Sequence, residues 1–249
     1  MSWSYGTLAT EVYEIDKPIG HSFGDVEYYA DLLAGVGGRI LEPAAGTGRI
    51  LIPLLEAGHE VEGLDTSPQM LAVCRQHCRE RGLDPVLHEA DMTAFVRPGA
   101  YQAVIIPAGS FELLDGTPAA EQALACFRES LAPGGRLILD IDPPQLVTGP
   151  EPPRLWRRGF LLWTLQVVHA WYDSAANQTT RLLRYDKWQD GTLIATELQW
   201  FRLQHWSLRE FEGLLAAAGF AGVQVTADHH ADRRPGPGSG IWTFHATRP

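Results

Sequence analysis

The stretch that decides the fold is Ile40-Leu41-Glu42-Pro43-Ala44-Ala45-Gly46-Thr47-Gly48-Arg49. Its pattern indicates a short apolar strand, an acidic residue, a tight turn of small residues and the start of an amphipathic helix. Small residues in the turn leave room for a ligand to lie against the backbone. A dinucleotide-binding G-x-G-x-x-G loop is excluded, because its third glycine would fall on Leu51. Ala44 stands in place of a first glycine, and we expect its φ to be negative.

Further motifs follow the loop in a fixed order. A second apolar strand ends at Asp65, and a carboxylate at the tip of the second strand can accept both hydroxyls of a ribose. Ser67 then caps a helix that has Pro68 at its first position. Apolar runs predict the third, fourth and fifth strands at residues 85–90, 103–106 and 136–140, the last after Leu131-Ala132-Pro133-Gly134-Gly135.

Together these motifs resemble those of class I S-adenosylmethionine-dependent methyltransferases of the small-molecule type. The loop is similar to the family's E-P-A-C-G-T-G-R variant, residues 65–71 to D-x-S-x-x-M-L, and residues 131–135 to L-x-P-G-G. The resemblance covers residues 40–142. It implies an α/β fold with a Rossmann-like, seven-stranded, mostly parallel sheet flanked by helices, and S-adenosylmethionine (SAM) as cofactor, with S-adenosylhomocysteine (SAH) as product.

The resemblance also implies a set of cofactor-binding residues along the carboxyl ends of the strands. Glu42 would contact the methionine ammonium, Asp65 the ribose, and Asp91 with Met92 the adenine. The full set is Glu42, Ala44, Gly46, Gly48, Arg49, Asp65, Thr66, Met70, Asp91, Met92, Pro107 and Ala108. In similar proteins an N-terminal arm closes over the cofactor, which makes Tyr5 and Tyr13 candidates for a lid.

The chain divides into four predicted regions. They are an N-terminal arm and helix (1–37), a SAM-binding Rossmann-like core (38–142), an antiparallel β insertion (143–205) and the completion of the core by a helix and a final strand pair (206–249). We expect residues 5–23 to be extended or mobile, followed by a helix over Val26–Ala34. A capping box at Ser207-Leu208-Arg209-Glu210 starts the last helix.

The insertion contains three strand-like runs, Phe160–Tyr172, Thr179–Trp188 and Thr192–Leu203, with Asp190-Gly191 as a hairpin turn. They predict a three- or four-stranded antiparallel sheet. Six of the eight tryptophans lie in or beside it, at positions 156, 163, 171, 188, 200 and 206. Two interpretations remain open: a lid over the acceptor pocket, which we favour, or the interface of a homodimer.

Residues for the acceptor and for catalysis are less clearly marked. Candidate acceptor-binding residues are Tyr13, Ser110, Phe111, Trp163 and Trp200, and candidate bases are Glu112 and His169. The segment Ser110-Phe111-Glu112-Leu113-Leu114 resembles an S-F-x-H-L segment of small-metabolite N-methyltransferases, with Leu113 in place of the histidine. Glu112 is equally compatible with a surface position, and His169 with a structural role.

The predicted function is SAM-dependent N- or O-methylation of a small molecule. Three alternatives stay open: a non-catalytic SAM-binding regulatory or interaction protein, an NAD-dependent oxidoreductase, and an aminopropyltransferase, although the last lacks its acidic polyamine-binding signature. The formal net charge of −10 disfavours nucleic acid as acceptor.

Two groups of arginines are expected in solvated loops: Arg154, Arg157 and Arg158 in one, Arg233 and Arg234 in the other. The loop 228–238 is likewise expected to be solvated rather than metal-binding. Cys74 and Cys78 are expected to pack on a helix, and no metal site is predicted. The sequence shows neither a signal peptide nor an apolar run long enough for a membrane span, so we expect a cytoplasmic protein.

Overall fold

The computed structural model describes residues 5–144 and 151–249. Residues 1–4 of the predicted N-terminal arm and residues 145–150 of the predicted insertion, including Pro150, lie outside the described residues. The helices are α1 Thr7–Asp16, α2 Asp25–Leu33, α3 Leu51–Glu56, α4 Pro68–Glu80, α5 Thr117–Ser130 and α6 Leu208–Ala217, with a short 3-10 helix at Ser110–Leu113. The strands are β1 Arg39–Pro43, β2 Glu60–Asp65, β3 Leu87–Glu89, β4 Tyr101–Ile106, β5 Leu131–Ile141, β6 Arg154–Arg158, β7 Leu161–Asp173, β8 Gln178–Gln189, β9 Thr192–Gln204, β10 Ala221–Ala227 and β11 Trp242–Thr247.

Seven strands form one sheet in the order β10-β11-β5-β4-β1-β2-β3. The five strands from β5 to β3 pair in parallel, whereas β11 pairs antiparallel with both β5 and β10. Apolar side chains cover both faces and pack against the helices, as a central parallel sheet requires. The predicted α/β fold class is therefore confirmed, including the antiparallel pair at one edge.

Because β1 to β5 run in one direction, the loops that follow them meet at a single edge of the sheet. Two capping motifs predicted from the sequence fix the helices beside that edge. Ser67 accepts a hydrogen bond from the backbone N–H of Met70 at 3.2 Å at the start of α4. Ser207 and Glu210 form the reciprocal capping box that starts α6.

The insertion forms a second, four-stranded antiparallel sheet in the order β6-β7-β8-β9, which we call the cap. Its inner face packs on α1 through a cluster that includes Leu8, Val12, Trp163, Leu183 and Tyr185. The Glu197 carboxylate of β9 accepts hydrogen bonds from the first backbone N–H groups of α1, Leu8 at 3.0 Å and Ala9 at 3.3 Å. A negative charge there stabilises the helix N-terminus, so the cap and α1 support each other.

Two expectations about local structure were wrong. Residues 7–16 form α1 rather than an extended arm, because Leu8, Ala9 and Val12 are buried together against the cap. The segment with Arg154, Arg157 and Arg158 is strand β6 rather than a loop, paired with β7 along its length. Its side chains are largely exposed, and an edge strand with mostly polar exposed residues lacks the alternation that marks a half-buried strand.

Candidate functional site

The loop between β1 and α3 contains three residues with left-handed backbone. Ala44, Gly46 and Gly48 have φ of 58°, 56° and 92°. The expectation that Ala44 keeps a negative φ was wrong. Two backbone hydrogen bonds of Ala45, the next residue, hold the turn in this conformation. Its N–H donates to the Leu64 carbonyl and its carbonyl accepts from Gly48 N–H, both at 3.0 Å. The loop is therefore fixed to β2 by its own backbone.

The two glycines of this loop face different surroundings. A Cβ built on Gly46 would meet only the Ala44 carbonyl oxygen, at 4.0 Å, so Gly46 borders open space. A Cβ on Gly48 would lie 2.9 Å from Cys74 Sγ and 3.0 Å from Ile52 Cδ1. Gly48 therefore permits the close packing of α4 on the loop, whereas Gly46 lets another molecule approach the backbone.

Asp65, at the end of β2, holds the loop and the start of α4 together. Its Oδ2 accepts from Gly46 N–H at 2.9 Å and its Oδ1 from Ser67 N–H at 2.8 Å. Burial raises the pKa of Asp65, and these hydrogen bonds lower it in part. A carboxylate offers about four acceptor sites, so each oxygen keeps capacity for a further hydroxyl donor.

Around these residues lies a cavity of about 270 Å³, which we call the first cavity. Its walls include nine of the residues predicted to bind cofactor or acceptor: Tyr13, Ala44, Gly46, Asp65, Thr66, Met70, Asp91, Met92 and Ser110. Tyr5, predicted as part of a lid, also lines it. Sequence reasoning missed Leu64, Ala90, Thr93, Leu113, Leu114, Asp115 and Ala119. Several of them lie next to a predicted residue in the chain, and this proximity is the one feature of the sequence that could have identified them.

Glu42 lies near the end of β1, just before the loop that borders the first cavity, and is only 3% exposed. Its Oε2 has no hydrogen-bond partner among the residues that the structure describes. Burial raises the pKa of Glu42 to about 8, the charge of Arg49 opposes this, and Asp25 and Asp65 add to it. A buried carboxyl group with an unused oxygen suits a cationic ligand group.

Five predicted cofactor residues are not on the wall of the first cavity: Glu42, described above, Gly48, Arg49, Pro107 and Ala108. Arg49 is buried and binds Asp25 in a bidentate pair at 3.0 and 2.5 Å, which ties the start of α2 to the loop. Gly48 faces α4, as described, and Pro107 is buried beneath the end of β4. Ala108 lines a different cavity.

A second cavity, of about 380 Å³, adjoins the first beneath the cap. Four residues line both: Tyr5, Tyr13, Ser110 and Leu113. Its other walls are Lys17, Ala108, Gly109, Asp142, Pro143, Thr179, Arg181, Phe201, Leu203 and His205. Asp142 directly follows β5, so it could have been predicted, like Asp65, as a carboxylate at the carboxyl end of a strand. Nothing in the local sequence marks Arg181 or Phe201.

Below the second cavity, Glu112 joins the end of β5 to the end of the cap. Glu112 is completely buried, and its Oε2 accepts from Asp142 N–H at 2.9 Å. Its Oε1 lies 3.4 Å from His205 Nδ1, and His205 Nε2 lies 2.8 Å from Thr179 Oγ1. Burial raises the pKa of Glu112 to about 7. Glu112 is therefore not a surface residue, which was one of the two interpretations that the sequence left open.

Four other candidates lie away from both cavities. Phe111 is completely buried in the core against Phe127, Trp206 and Phe211, since the 3-10 helix turns it inward. Trp163 packs between the cap and α1 and donates to Glu11 at 3.0 Å. Trp200 is 53% exposed, and His169 is also exposed; each contacts Trp171. The structure thus gives none of the four a place in an acceptor or catalytic site.

The two cysteines of α4 and the loop 228–238 lie as expected, with one correction. Cys74 and Cys78 are buried on α4, and the described residues contain no group of side chains arranged for a metal ion. The loop 228–238 is mostly exposed, but His229 is not solvated: its Nε2 lies 3.1 Å from the buried carboxylate of Asp140. Within the part of the chain that the structure describes, no helix is long and apolar enough to cross a membrane.

Comparison with known proteins confirms the predicted resemblance. Residues 40–135 match the family model described as a methyltransferase domain. Over 110 residues the chain is 43% identical to the demethylmenaquinone methyltransferase of Thermus thermophilus, which covers 43% of this chain and 48% of that protein. Over 101 residues it is 34% identical to a dTDP-3-amino-3,6-dideoxy-alpha-D-glucopyranose N,N-dimethyltransferase of Streptomyces fradiae, covering 41% and 38%. The matched segments thus span about half or less of these relatives.

Solved structures share the fold across nearly the whole chain. A SAM-dependent methyltransferase from Clostridium acetobutylicum superposes with a TM-score of 0.79 at 12% identity, covering 95% of this chain and 96% of that one. The SAM-bound amino pentose methyltransferase CalS10 from Micromonospora echinaspora gives 0.73 at 24% identity, covering 99% and 98%. At these identities the likeness concerns the fold, and it includes the cap as well as the core.

Proposed function

We propose that this protein is a SAM-dependent methyltransferase that acts on a small-molecule acceptor. The observation that carries the proposal is the first cavity, which the open backbone at Gly46 and the free acceptor sites of Asp65 border, with the buried carboxyl of Glu42 at the end of the adjoining strand β1. The matched methyltransferase domain contains all three residues.

The residues present fit SAM. Glu42 would hold the ammonium of its methionine part, Asp65 its ribose hydroxyls, and Asp91 with Met92 the adenine. When bound, SAM supplies a methyl group already activated by a positive sulfur. The chain's own task is then to orient an acceptor, exclude water and remove a proton where the nucleophile carries one.

We assign the acceptor to the second cavity, with the cap and α1 as its lid. Support comes from the four residues that line both cavities, since they put an acceptor beside the cofactor at the end of β4. Relatives named for quinone and amino sugar substrates support a small molecule as acceptor and N- or O-methylation as the reaction. They do not favour an oxidoreductase or an aminopropyltransferase.

The experiment that tests the proposal has two steps. Calorimetry measures the binding of SAM, SAH and NADH, and a screen of metabolite extracts then measures SAH release with SAM present. We expect SAM and SAH to bind and at least one fraction to support turnover. NADH binding without SAM binding would contradict the proposal, and SAM binding without turnover on any fraction would favour a regulatory SAM-binding protein.

We also propose a homodimer formed by the outer face of the cap. That face exposes Leu155, Leu198 and Trp200, at 60%, 63% and 53%, and exposed apolar residues grouped on one sheet often mark a contact surface. Light scattering should give twice the mass of one chain, and Leu198→Lys should reduce the measured mass to that of a single chain.

A cytoplasmic location is consistent with three free cysteines, and fractionation of cells tests it.

A further inference from the structure

Ionisable side chains from four parts of the chain line the second cavity. Asp142 follows β5, Lys17 ends α1, Arg181 comes from β8 and His205 follows β9. Arg181 is paired with Glu151 at 3.3 Å. Burial and the charge of Arg49 lower the pKa of Lys17, which weakens its hold on a proton. Asp142, by contrast, has no ion-pair partner within 4 Å among the described residues.

The position of Asp142 is fixed from below. Glu112 Oε2 accepts from its backbone N–H at 2.9 Å, and a Cβ built on Gly109 would lie 3.3 Å from Asp142 Oδ1 and 3.0 Å from Glu112 Oε2. Both carboxylates therefore lie close to Gly109, in the turn that follows β4. His205 Nδ1, in the same wall, has no hydrogen-bond partner in the described residues although Glu112 is near.

We propose that the second cavity binds the acceptor as a primary or secondary amine, with Asp142 as the group that holds its nitrogen and takes its proton, and with Glu112 as the residue that positions Asp142. This rests on the proposed function and narrows its acceptor class. Leu113 lines both cavities and puts them side by side, and the carboxylate of Asp142 faces the second one.

An ammonium acceptor gives one proton to the Asp142 carboxylate and becomes a free amine. The nitrogen lone pair then forms the N–C bond while the C–S bond breaks and its electron pair stays on sulfur, which leaves SAH and a methylated ammonium. Burial and the charge of Asp140 raise the pKa of Asp142, while His205 and Lys17 lower it, so the net change makes Asp142 a stronger base than an exposed aspartate.

The binding test uses cyclohexylamine and cyclohexanol on SAH-saturated protein, because the two differ only in the polar group. At about pH 7.5 the amine is an ammonium. We expect calorimetry to show at least about tenfold tighter binding of the amine, since a hydrogen bond between two charged groups is stronger than a neutral one. Asp142→Asn should remove that preference and leave SAH affinity unchanged. The exposed Asp84→Asn serves as the control and should leave both unchanged.

The chemical test follows methyl transfer from SAM to cyclohexylamine by mass spectrometry. Asp142→Asn should slow it by about a hundredfold, as expected when a general base is lost. Glu112→Gln keeps an acceptor oxygen for the Asp142 N–H and should retain the amine preference, whereas Glu112→Ala should reduce it. Equal binding of alcohol and amine, or a preference that survives Asp142→Asn, would overturn the inference. Failure of the wild type to bind SAH would instead overturn the proposed function.

Discussion

The two cavities of this protein differ in what forms their walls. The first cavity is bordered by backbone turns at the ends of parallel strands, and its main polar contacts involve the Gly46 N–H and the Asp65 carboxylate. The second is bordered by side chains from α1, the cap and the end of β5. A ligand shared by many proteins suits a site fixed by backbone geometry, whereas an individual acceptor suits walls that side-chain changes can remodel.

The largest effect should come from Gly46→Val in the first cavity. A branched side chain there fills open space and also strains a left-handed residue, so we expect SAH affinity to fall at least about a hundredfold by calorimetry. Gly82→Val is a matched control, because Gly82 has φ 70° at the end of α4, with no atom near its Cβ position. Equal affinity in Gly46→Val and wild type would show that the ligand does not approach this loop.

The difference between backbone walls and side-chain walls also explains which parts of the site the sequence could predict. Glycines, caps and strand-end carboxylates follow local rules, so the core strands were predicted in their order along the chain, and Asp65 and Met92 do line the first cavity. The walls of the second cavity depend on which face of β8 and β9 turns inward and on where α1 packs. Phe201, Arg181 and Lys17 carry no local signal, and α1 was missed because its burial depends on the distant residues Trp163 and Leu183.

Tryptophans of the cap show the same limit. The sequence grouped Trp163 and Trp200 as acceptor residues, but one is 5% exposed and packed against α1, and the other is 53% exposed on the outer face. We expect Trp163→Ala to lower the free energy of unfolding by about 3–5 kcal/mol. Trp200→Ala should lower it by less than about 1 kcal/mol. Denaturant titration of the two variants checks this, and equal losses would contradict the assignment of faces.

Asp65 tests whether the ligand of the first cavity is a nucleoside. Loss of a carboxylate that accepts ribose hydroxyls should cost roughly 1–3 kcal/mol of binding, which is about tenfold to a hundredfold in affinity. The expected value for Asp65→Ala lies toward the upper end, since Asp65 also holds the N–H groups of Gly46 and Ser67. Asp84→Ala is the control at an exposed site. A change below twofold in Asp65→Ala would mean that the ligand does not present its ribose here.

Glu42 gives the smallest effect and the most specific one. Because burial raises its pKa to about 8, above pH 7, the protonated form of Glu42 predominates at that pH in the free protein. An ammonium group bound beside it would lower the pKa, so binding should release up to about one proton. Calorimetry of SAH binding at pH 7, in buffers of different ionisation enthalpy, measures this number. Glu42→Gln should reduce it toward zero.

The same group makes a prediction about stability without ligand. The folded-state pKa of Glu42 is raised above its usual value of 4.5, so its contribution is fully present below about pH 4.5 and is lost as pH rises through about 8. The wild type should therefore lose thermal stability relative to Glu42→Gln across this window. Glu112, whose pKa burial raises to about 7, titrates in the same range in both proteins, so the difference between the two melting curves isolates Glu42. Parallel curves would show that the pKa of Glu42 is not raised, and proton release that persists in Glu42→Gln would place the ligand's ammonium elsewhere.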